Sequence, residues 1–443
     1  MNNRWPLFVD LYELTMAQAY FFEHLDGEAV FSTFVRKLPK NRNFLIACGL
    51  VDVLNFLENF KFSSDEIDFL KSLGLFKDEF LDFLKELQFT GDVYGLREGT
   101  VFFENEPILE VKAPIIQCQL LETYILNQIQ FQTMIASKGV RICSVSQDRN
   151  VVDFGSRRAH GLDAGLKAAR AFYISGMSAT SNVLAGKIYN IPVTGTMAHS
   201  YIQVHSTEFD AFEAFSSLYP NTVLLIDTYD VYQGIENVIK LSKKLGDKFF
   251  ITGIRIDSGD IITTSKKIRK ILDRAGLYNV KIIVSGSLDE YKIYEIVKEN
   301  APIDGFGVGT KAIVSEDAPY LDIVYKLTEY KGEGKFKKSK GKSTIPFQKQ
   351  VYRFISEGRY SEDIISMYKE ILPGNPLIIK LMEDGKIVKG AVEDLNVIRE
   401  RVIKELSMLP DDLKKIEKSE VVYPVKFSPS LEKIKTTLKE NHG

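Results

Sequence analysis

The hydrophobic and polar positions of this chain change period as it is read from one end to the other. From Leu7 to Phe22 apolar residues recur at helical spacing, Ala29 to Leu38 alternates like a strand, and Leu45 to Leu87 returns to the helical period. Gly91, Gly95, Gly99 and Pro107 then punctuate short β-type runs such as Thr100 to Phe103 and Ile108 to Val111. Pro114 opens a long apolar helix, Ile115 to Ile135, which leads out of this helical and β cap region.

Between Val151 and Val324 one pattern repeats: an apolar, β-branched run, a polar turn, then an amphipathic helix. The runs are Val151 to Phe154, Ile191 to Val193, Val223 to Ile226, Phe250 to Ile256, Ile282 to Val284 and Gly305 to Val308. Asp227, Asp257 and Ser287 close three consecutive runs at intervals of 30 residues, the length of one βα unit. A parallel α/β sheet is predicted, and with about six units a closed barrel is favoured over an open Rossmann-like sheet. The stretch from Lys331 to Lys342 holds six lysines and three glycines and reads as a solvated loop. The remainder mixes short strands and charged helices. The predicted domains are therefore an α+β cap over 1–113, a (β/α) barrel over 114–330, and a basic loop with a C-terminal segment over 331–443 that returns to the cap.

Composition narrows the function. At 443 residues, 45% apolar and 26% charged, the chain can build several cores and is neither disordered nor fibrous. Lys and Arg number 57 against 59 Asp and Glu, so no general attraction to nucleic acid is implied and an anionic ligand must be met by local charge. The opening MNNRWPLFVD lacks a basic stretch running into an apolar one, and no run of ~18 uncharged apolar residues occurs, so a cytoplasmic protein without a membrane span is expected. Cys48, Cys118 and Cys143 lie far apart with no CxxC pair, which suggests neither a disulfide framework nor a zinc site.

In parallel βα folds the strand ends carry the chemistry, and here they are polar: FGSRRAHG (154–161), TGTMAHS (194–200), IDTYD (226–230), RIDSGD (255–260), VSGSLDE (284–290) and GFGVGT (305–310). Gly, Ser and Thr there expose N–H groups at helix starts, which suits phosphate, although any one glycine is more often a plain turn residue. RIDSGD sets a cation and two carboxylates within six residues, fit for clamping an acid and binding sugar hydroxyls or magnesium; the plainer alternative is an N-cap Asp beside a surface Arg. His199 shares the strand-end rim with Asp227, and a carboxylate that orients an imidazole is a nucleophile arrangement. His24, His160, His205 and His442 have no comparable company.

These motifs, with DLYELTM near the start and in this order over most of the chain, resemble the nicotinate phosphoribosyltransferases. The resemblance implies an irregular (β/α) barrel of the type II phosphoribosyltransferase kind, with the cap built from the N- and C-terminal segments. It implies ATP-coupled transfer of phosphoribose from phosphoribosyl diphosphate to nicotinate, with magnesium carried on the diphosphate and homodimers that share active sites. Position by position, His199 matches the histidine phosphorylated by ATP and Asp227 its orienting carboxylate. Tyr12 (from the neighbouring subunit) and Phe154 match the two aromatic faces around the pyridine ring, while Arg157, Thr196 and Arg255 match positions around nicotinate. Asp257 matches the residue on the ribose hydroxyls. Gly286, Ser287, Gly307, Gly309 and Thr310 match the phosphate cradle, Arg36 and Lys37 diphosphate contacts, and Lys342 and Lys349 a further cationic pair. SATSN (178–182) lacks the acid that nicotinamide-using relatives place there, which with Arg157 and Arg255 favours the acid over the amide. A nicotinamide phosphoribosyltransferase, the decarboxylating quinolinate enzyme and a non-catalytic barrel that binds a phosphorylated metabolite are the competing assignments.

Overall fold

The computed structural model describes residues 5–337 and 344–441. The chain packs as two units, one formed by residues up to Met134 together with those from Ala318 onward, the other by Ile135–Asp317.

The first unit is built on a seven-stranded antiparallel sheet. Its order is Glu333–Gly334, Ile323–Tyr330, Glu28–Val35, Pro107–Pro114, Asp92–Gly95, Ile379–Glu383, Lys386–Ile387, so three N-terminal strands form its centre and later strands of the chain flank them on both sides. Ala29 to Val35 is buried on both faces, where the sequence alternation predicts one wet face. The polar members of that run are accommodated by pairing: Ser32 donates to Glu110 at 2.9 Å, and both side chains are fully buried. A four-stranded sheet, Asn375–Pro376, Lys349–Ser356, Arg359–Met367 and Val425–Phe427, and a two-stranded one, Leu45–Ile46 with Val101–Phe102, lie in the same unit. Helices Leu50–Glu58, Ser64–Ser72 and Asp78–Glu86 fill the stretch read as helical, preceded by a two-residue strand at Leu45–Ile46. The short helix Ile115–Gln119 packs on the 28–35 and 107–114 strands. Residues just past Pro114 therefore belong to the first unit, and the division falls inside the following helix, Glu122–Ser146, rather than at 113/114.

Helix Leu11–Phe22 is anchored through Glu13, a fully buried carboxylate that accepts from the Thr123 N–H at 3.2 Å and the Thr123 hydroxyl at 2.5 Å, while Oε2 has no partner. Burial pushes this carboxyl up to about 7 from an ordinary value of 4.5. The folded group thus holds its proton where the unfolded one has lost it, so its stabilising contribution is complete below about pH 4.5 and is lost as pH rises through about 7. Glu13→Gln cannot ionise. Its thermal midpoint is expected to change less than that of the wild type across this window and to exceed it above pH 7 by about 2–4 °C, read by melts at a series of pH values.

The second unit contains a parallel six-stranded sheet ordered Ala179–Thr180, Asn150–Asp153, Gly305–Val308, Lys281–Val284, Gly253–Ile256, Val223–Leu225. An isolated parallel bridge, Thr180 to Val193, adds one position beyond the first edge. Followed from 150 to 308, the strands take neighbouring places in chain order around a barrel, and the ring is open at one seam, between Val193 and the 223–225 strand. The run Ile191 to Val193, read as a strand, supplies only the bridge, because Pro192 cannot donate to a ladder. Leu224, Ile254, Ile256, Ile282, Val284, Phe306 and Val308 are buried, as a sheet wrapped in helices requires. Three of the helices that follow are capped by an aspartate of the strand-end motif: Asp230 accepts from Tyr232 and Gln233 N–H, Asp260 from Thr263 N–H, and Asp289 from Lys292 N–H.

Candidate active site

The open seam is where the histidine stands. Residues 194–200 leave the Thr180 bridge, and His199 begins the short helix His199–Gln203, half-buried. Two side-chain contacts span the gap. The His199 Nδ1 lies 3.1 Å from the hydroxyl of Thr228, just beyond the 223–225 strand. Arg255, from the next strand, donates through a terminal nitrogen to the Met197 carbonyl at 2.9 Å, while its Nε is buried without a partner.

Asp227 does not contact His199 in this arrangement. Its Oδ2 accepts from the Asp257 N–H at 2.8 Å and the Ser258 hydroxyl at 2.7 Å, tying two adjacent strand ends together, and its Oδ1 is buried without a hydrogen-bond partner. The direct His199–Asp227 pair expected from sequence is thus replaced here by His199–Thr228, because the Asp227 carboxylate is turned to the Asp257 N–H and the Ser258 hydroxyl. Burial draws the Arg255 guanidinium below its usual range, Asp257 and Asp227 oppose that, and Arg157 adds to it. A guanidinium stays charged under such a shift, so Arg255 offers a desolvated cation.

Asp257 is the residue of RIDSGD that is not spent on a cap. Its Oδ1 accepts from the Ser285 hydroxyl, and it lines a cleft of about 550 Å³ with Ser258, Gly286, Ser287, Tyr291 and Lys311. Gly286 has φ 89°, and a Cβ there would lie 2.2 Å from the Asp257 carbonyl oxygen, so the turn requires glycine on both counts. Ser287 follows at φ 52°, so two consecutive residues of this turn take the left-handed conformation beside the cleft. Lys311, directly after Thr310, reaches the Asp289 carboxylate at 2.8 Å and so joins the 284–290 and 305–310 turns. On the neighbouring strand the Phe154 ring rests against Gly307, where a Cβ would come within 2.5 Å of ring carbons, and the Phe154 N–H donates to the Val308 carbonyl at 2.7 Å. Gly309 lies against the Phe154 carbonyl, and Arg157 is exposed on the Ser156–Arg158 turn. Thr196 is half-buried, its hydroxyl on the Met197 carbonyl at 3.3 Å.

Phe154, Arg157, Thr196, His199, Asp227, Arg255, Asp257, Gly286, Ser287, Gly307, Gly309 and Thr310 therefore all lie at strand ends of the second unit. Tyr12, Arg36, Lys37 and Lys349 belong to the first. Tyr12 is 45% exposed. Arg36 meets Asp322 at 3.7 Å, its Nε unpartnered, and Lys37 is exposed. Lys349 is fully buried, with its ammonium on Glu110 at 2.9 Å and on the carbonyls of Ile345 and Phe347, so its charge is already matched inside the sheet. Lys342 lies outside the described residues. Thr228, Lys311 and Ser285 were not singled out in the sequence; a hydroxyl next to Asp227 and a lysine closing GFGVGTK were the available signals. Among the described residues no three His, Cys, Asp or Glu side chains are grouped to hold a metal ion, and no helix is long and apolar enough to cross a membrane.

Comparison with known proteins agrees with this geometry. A model of the nicotinate phosphoribosyltransferase (NAPRTase) N-terminal domain matches residues 7–130, and one of the nicotinate phosphoribosyltransferase (NAPRTase) family matches 149–365. The nicotinate phosphoribosyltransferase pncB2 of Mycobacterium tuberculosis is 47% identical, over 95% of this chain and 91% of its own length. The Bacillus subtilis nicotinate phosphoribosyltransferase is 38% identical, over 96% and 94%. The crystal structure of human nicotinic acid phosphoribosyltransferase superimposes with a TM-score of 0.88 at 25% identity, covering 97% of this chain and 99% of that one. An irregular parallel barrel, another unit built from both chain ends, strand-end turns suited to phosphate, and these matches along nearly the whole length place this chain in the nicotinate phosphoribosyltransferase family.

Proposed function

We propose that the chain transfers phosphoribose from phosphoribosyl diphosphate to nicotinate, giving nicotinate mononucleotide and diphosphate for NAD biosynthesis, and that ATP drives the reaction through a phosphate carried on His199. The observation that carries this is His199 itself: an imidazole fixed at Nδ1 by Thr228, at the rim of the sheet whose next strand ends form phosphate-type turns.

The ring nitrogen of nicotinate attacks the anomeric carbon as the C–O bond to diphosphate breaks, through a state with oxocarbenium character. Phe154 offers a flat face fixed by Gly307, and Arg157 and Arg255 offer cations to the carboxylate. Asp257 is placed to accept from ribose hydroxyls, and the Gly286–Ser287 and Gly309–Thr310 turns to bind phosphate oxygens. Magnesium bound to the diphosphate would neutralise charge that builds on the leaving group, and the rim carboxylate Asp257 is a donor that fits it. The Walker-type lysine loop is missing from the sequence, so ATP and the ribosyl donor would use the same phosphate turns in succession. With nicotinate and phosphoribosyl diphosphate supplied, mononucleotide yield is expected to rise on adding ATP, about one ATP being hydrolysed per product. Equal yields with and without ATP, and no ATP consumed, would contradict the coupling.

The pyridine ring needs a second aromatic face, and the exposed Tyr12, beside exposed Leu11 and Met16 on its helix, suits one lent by a second copy in a homodimer. Mixing Tyr12→Ala with His199→Ala chains should then restore activity in about one quarter of sites, those free of both lesions. A mixture no more active than its two components would rule out shared sites.

A further inference from the structure

Asp153 is a buried charge that the proposed chemistry does not use. It ends the Asn150–Asp153 strand, one position before Phe154, and is 1% exposed. Each carboxylate oxygen accepts one hydrogen bond: Oδ1 from the Gly155 N–H at 2.8 Å, Oδ2 from the Thr180 hydroxyl at 2.7 Å. No cation pairs with it among the described residues, and burial alone raises its carboxyl above the usual range, with those two hydrogen bonds opposing. A site like this costs stability that an apolar residue would not, because two uncharged donors only partly replace the lost hydration of a carboxylate. Its retention calls for a role other than packing.

Both contacts lead to the site. Gly155 opens the Ser156–Arg158 turn that carries Arg157, and Phe154 lies between Gly155 and Asp153. Thr180 is the strand residue bridged to Val193; its N–H donates to the Pro192 carbonyl and its carbonyl accepts from the Thr194 N–H, both at 3.0 Å. Thr180 thus holds the start of the segment that bears Thr196 and His199. Its hydroxyl also accepts from the Asn182 N–H at 3.1 Å, and the Asp153 carbonyl from the Ser181 N–H at 2.8 Å, so the SATSN segment is fixed from the same point.

We infer that Asp153 is a positioning residue: one carboxylate sets the Phe154–Arg157 loop and the 194–200 segment relative to each other, so that binding of the aromatic acid and phosphorylation of His199 both depend on it. This rests on the function proposed above. Neither carboxylate oxygen is hydrogen-bonded to the 284–290 or 305–310 turns, and the latter meets Phe154 through a main-chain hydrogen bond and packing that Asp153→Asn leaves in place, so both phosphate turns should respond little.

The experiment uses the full chain with Asp153→Asn, Thr180→Val and Thr180→Ser beside the wild type. In Asp153→Asn the amide nitrogen must face one of the two donors, so KM for nicotinate should rise by ~10-fold or more and the rate of phosphate incorporation from labelled ATP fall by a similar factor. KM for phosphoribosyl diphosphate should stay within ~2-fold, a split that general loosening would not produce. Thr180→Val cuts only the second branch and should slow phosphorylation by a larger factor than it raises nicotinate KM, since that segment bears Thr196 as well as His199, and Thr180→Ser should restore it. Wild-type values for nicotinate KM and phosphorylation in Asp153→Asn and Thr180→Val overturn the inference, as does an equal rise in both KM values. Should Asp153→Asn fail to fold, Thr180→Val decides, a wild-type phosphorylation rate counting against. A wild type that forms no mononucleotide or takes up no label overturns the proposed function instead, and the inference with it.

Discussion

His199→Ala is expected to take up no phosphate from ATP and to lose ATP hydrolysis by ~1000-fold or more, while keeping a slow, ATP-independent formation of mononucleotide. The side chain removed is the only phosphoryl acceptor proposed, and a substituted nucleophile costs at least that factor. The ribosyl transfer itself needs positioning and charge neutralisation, which Phe154, Asp257 and the glycine turns retain. The Thr228 hydroxyl at 3.1 Å keeps one ring nitrogen occupied and fixes the plane of the imidazole. If His199 were instead a general base, the pattern would be reversed: ATP hydrolysis kept, ribosyl transfer lost. Labelled ATP, followed by measurement of base-stable, acid-labile protein phosphate in the wild type and variant, separates the two.

The second large effect should come from one of two aspartates three residues apart. Asp257→Ala is expected to lower kcat/KM for phosphoribosyl diphosphate by ~100-fold or more, because hydrogen bonds from two ribose hydroxyls to a charged acceptor contribute ~1.5–3 kcal/mol each. The loss also frees the Ser285 hydroxyl that now binds its carboxylate. Asp260→Ala removes only the side-chain bond to the Thr263 N–H at the start of a helix; it should cost ~1 kcal/mol of stability and leave kcat/KM within ~3-fold. Steady-state kinetics with melting curves for both variants reads the contrast. Similar kinetic losses in the two would contradict the assignment.

That contrast also shows what the sequence could and could not convey. RIDSGD was legible as a strand end with two carboxylates, but the functional and the capping interpretation applied to either. The structure divides them, giving Asp260 to the helix and Asp257 to the cleft. Regular repetition of apolar runs made the parallel strands at 150–153, 223–225, 253–256, 281–284 and 305–308 readable, since each buried run is followed by a polar turn and a helix. The two-residue strand Ala179–Thr180 was not readable, because it is too short to set up a period, and Ile191–Val193 looked like a strand but is interrupted by Pro192. His199 and its neighbourhood were visible in TGTMAHS and IDTYD. Which residue of IDTYD meets the ring was not, because that choice depends on how the chain turns after its strand. Lys349 looked like one more cation beside a lysine-rich loop; only the packed sheet reveals Glu110 as its partner. The 11–22 helix has exposed aromatic and aliphatic side chains, which a sequence period alone records as an ordinary amphipathic face.

The central claim is the acceptor. Purified chain incubated with phosphoribosyl diphosphate, magnesium and ATP, and with nicotinate and nicotinamide in parallel, should yield nicotinate mononucleotide and diphosphate by mass analysis, with nicotinate preferred in kcat/KM by ~10- to 100-fold or more, since the proposed acid-binding pair, Arg157 and Arg255, would be left unmatched by the amide. Equal efficiency with nicotinamide, or diphosphate released without any mononucleotide, would contradict it.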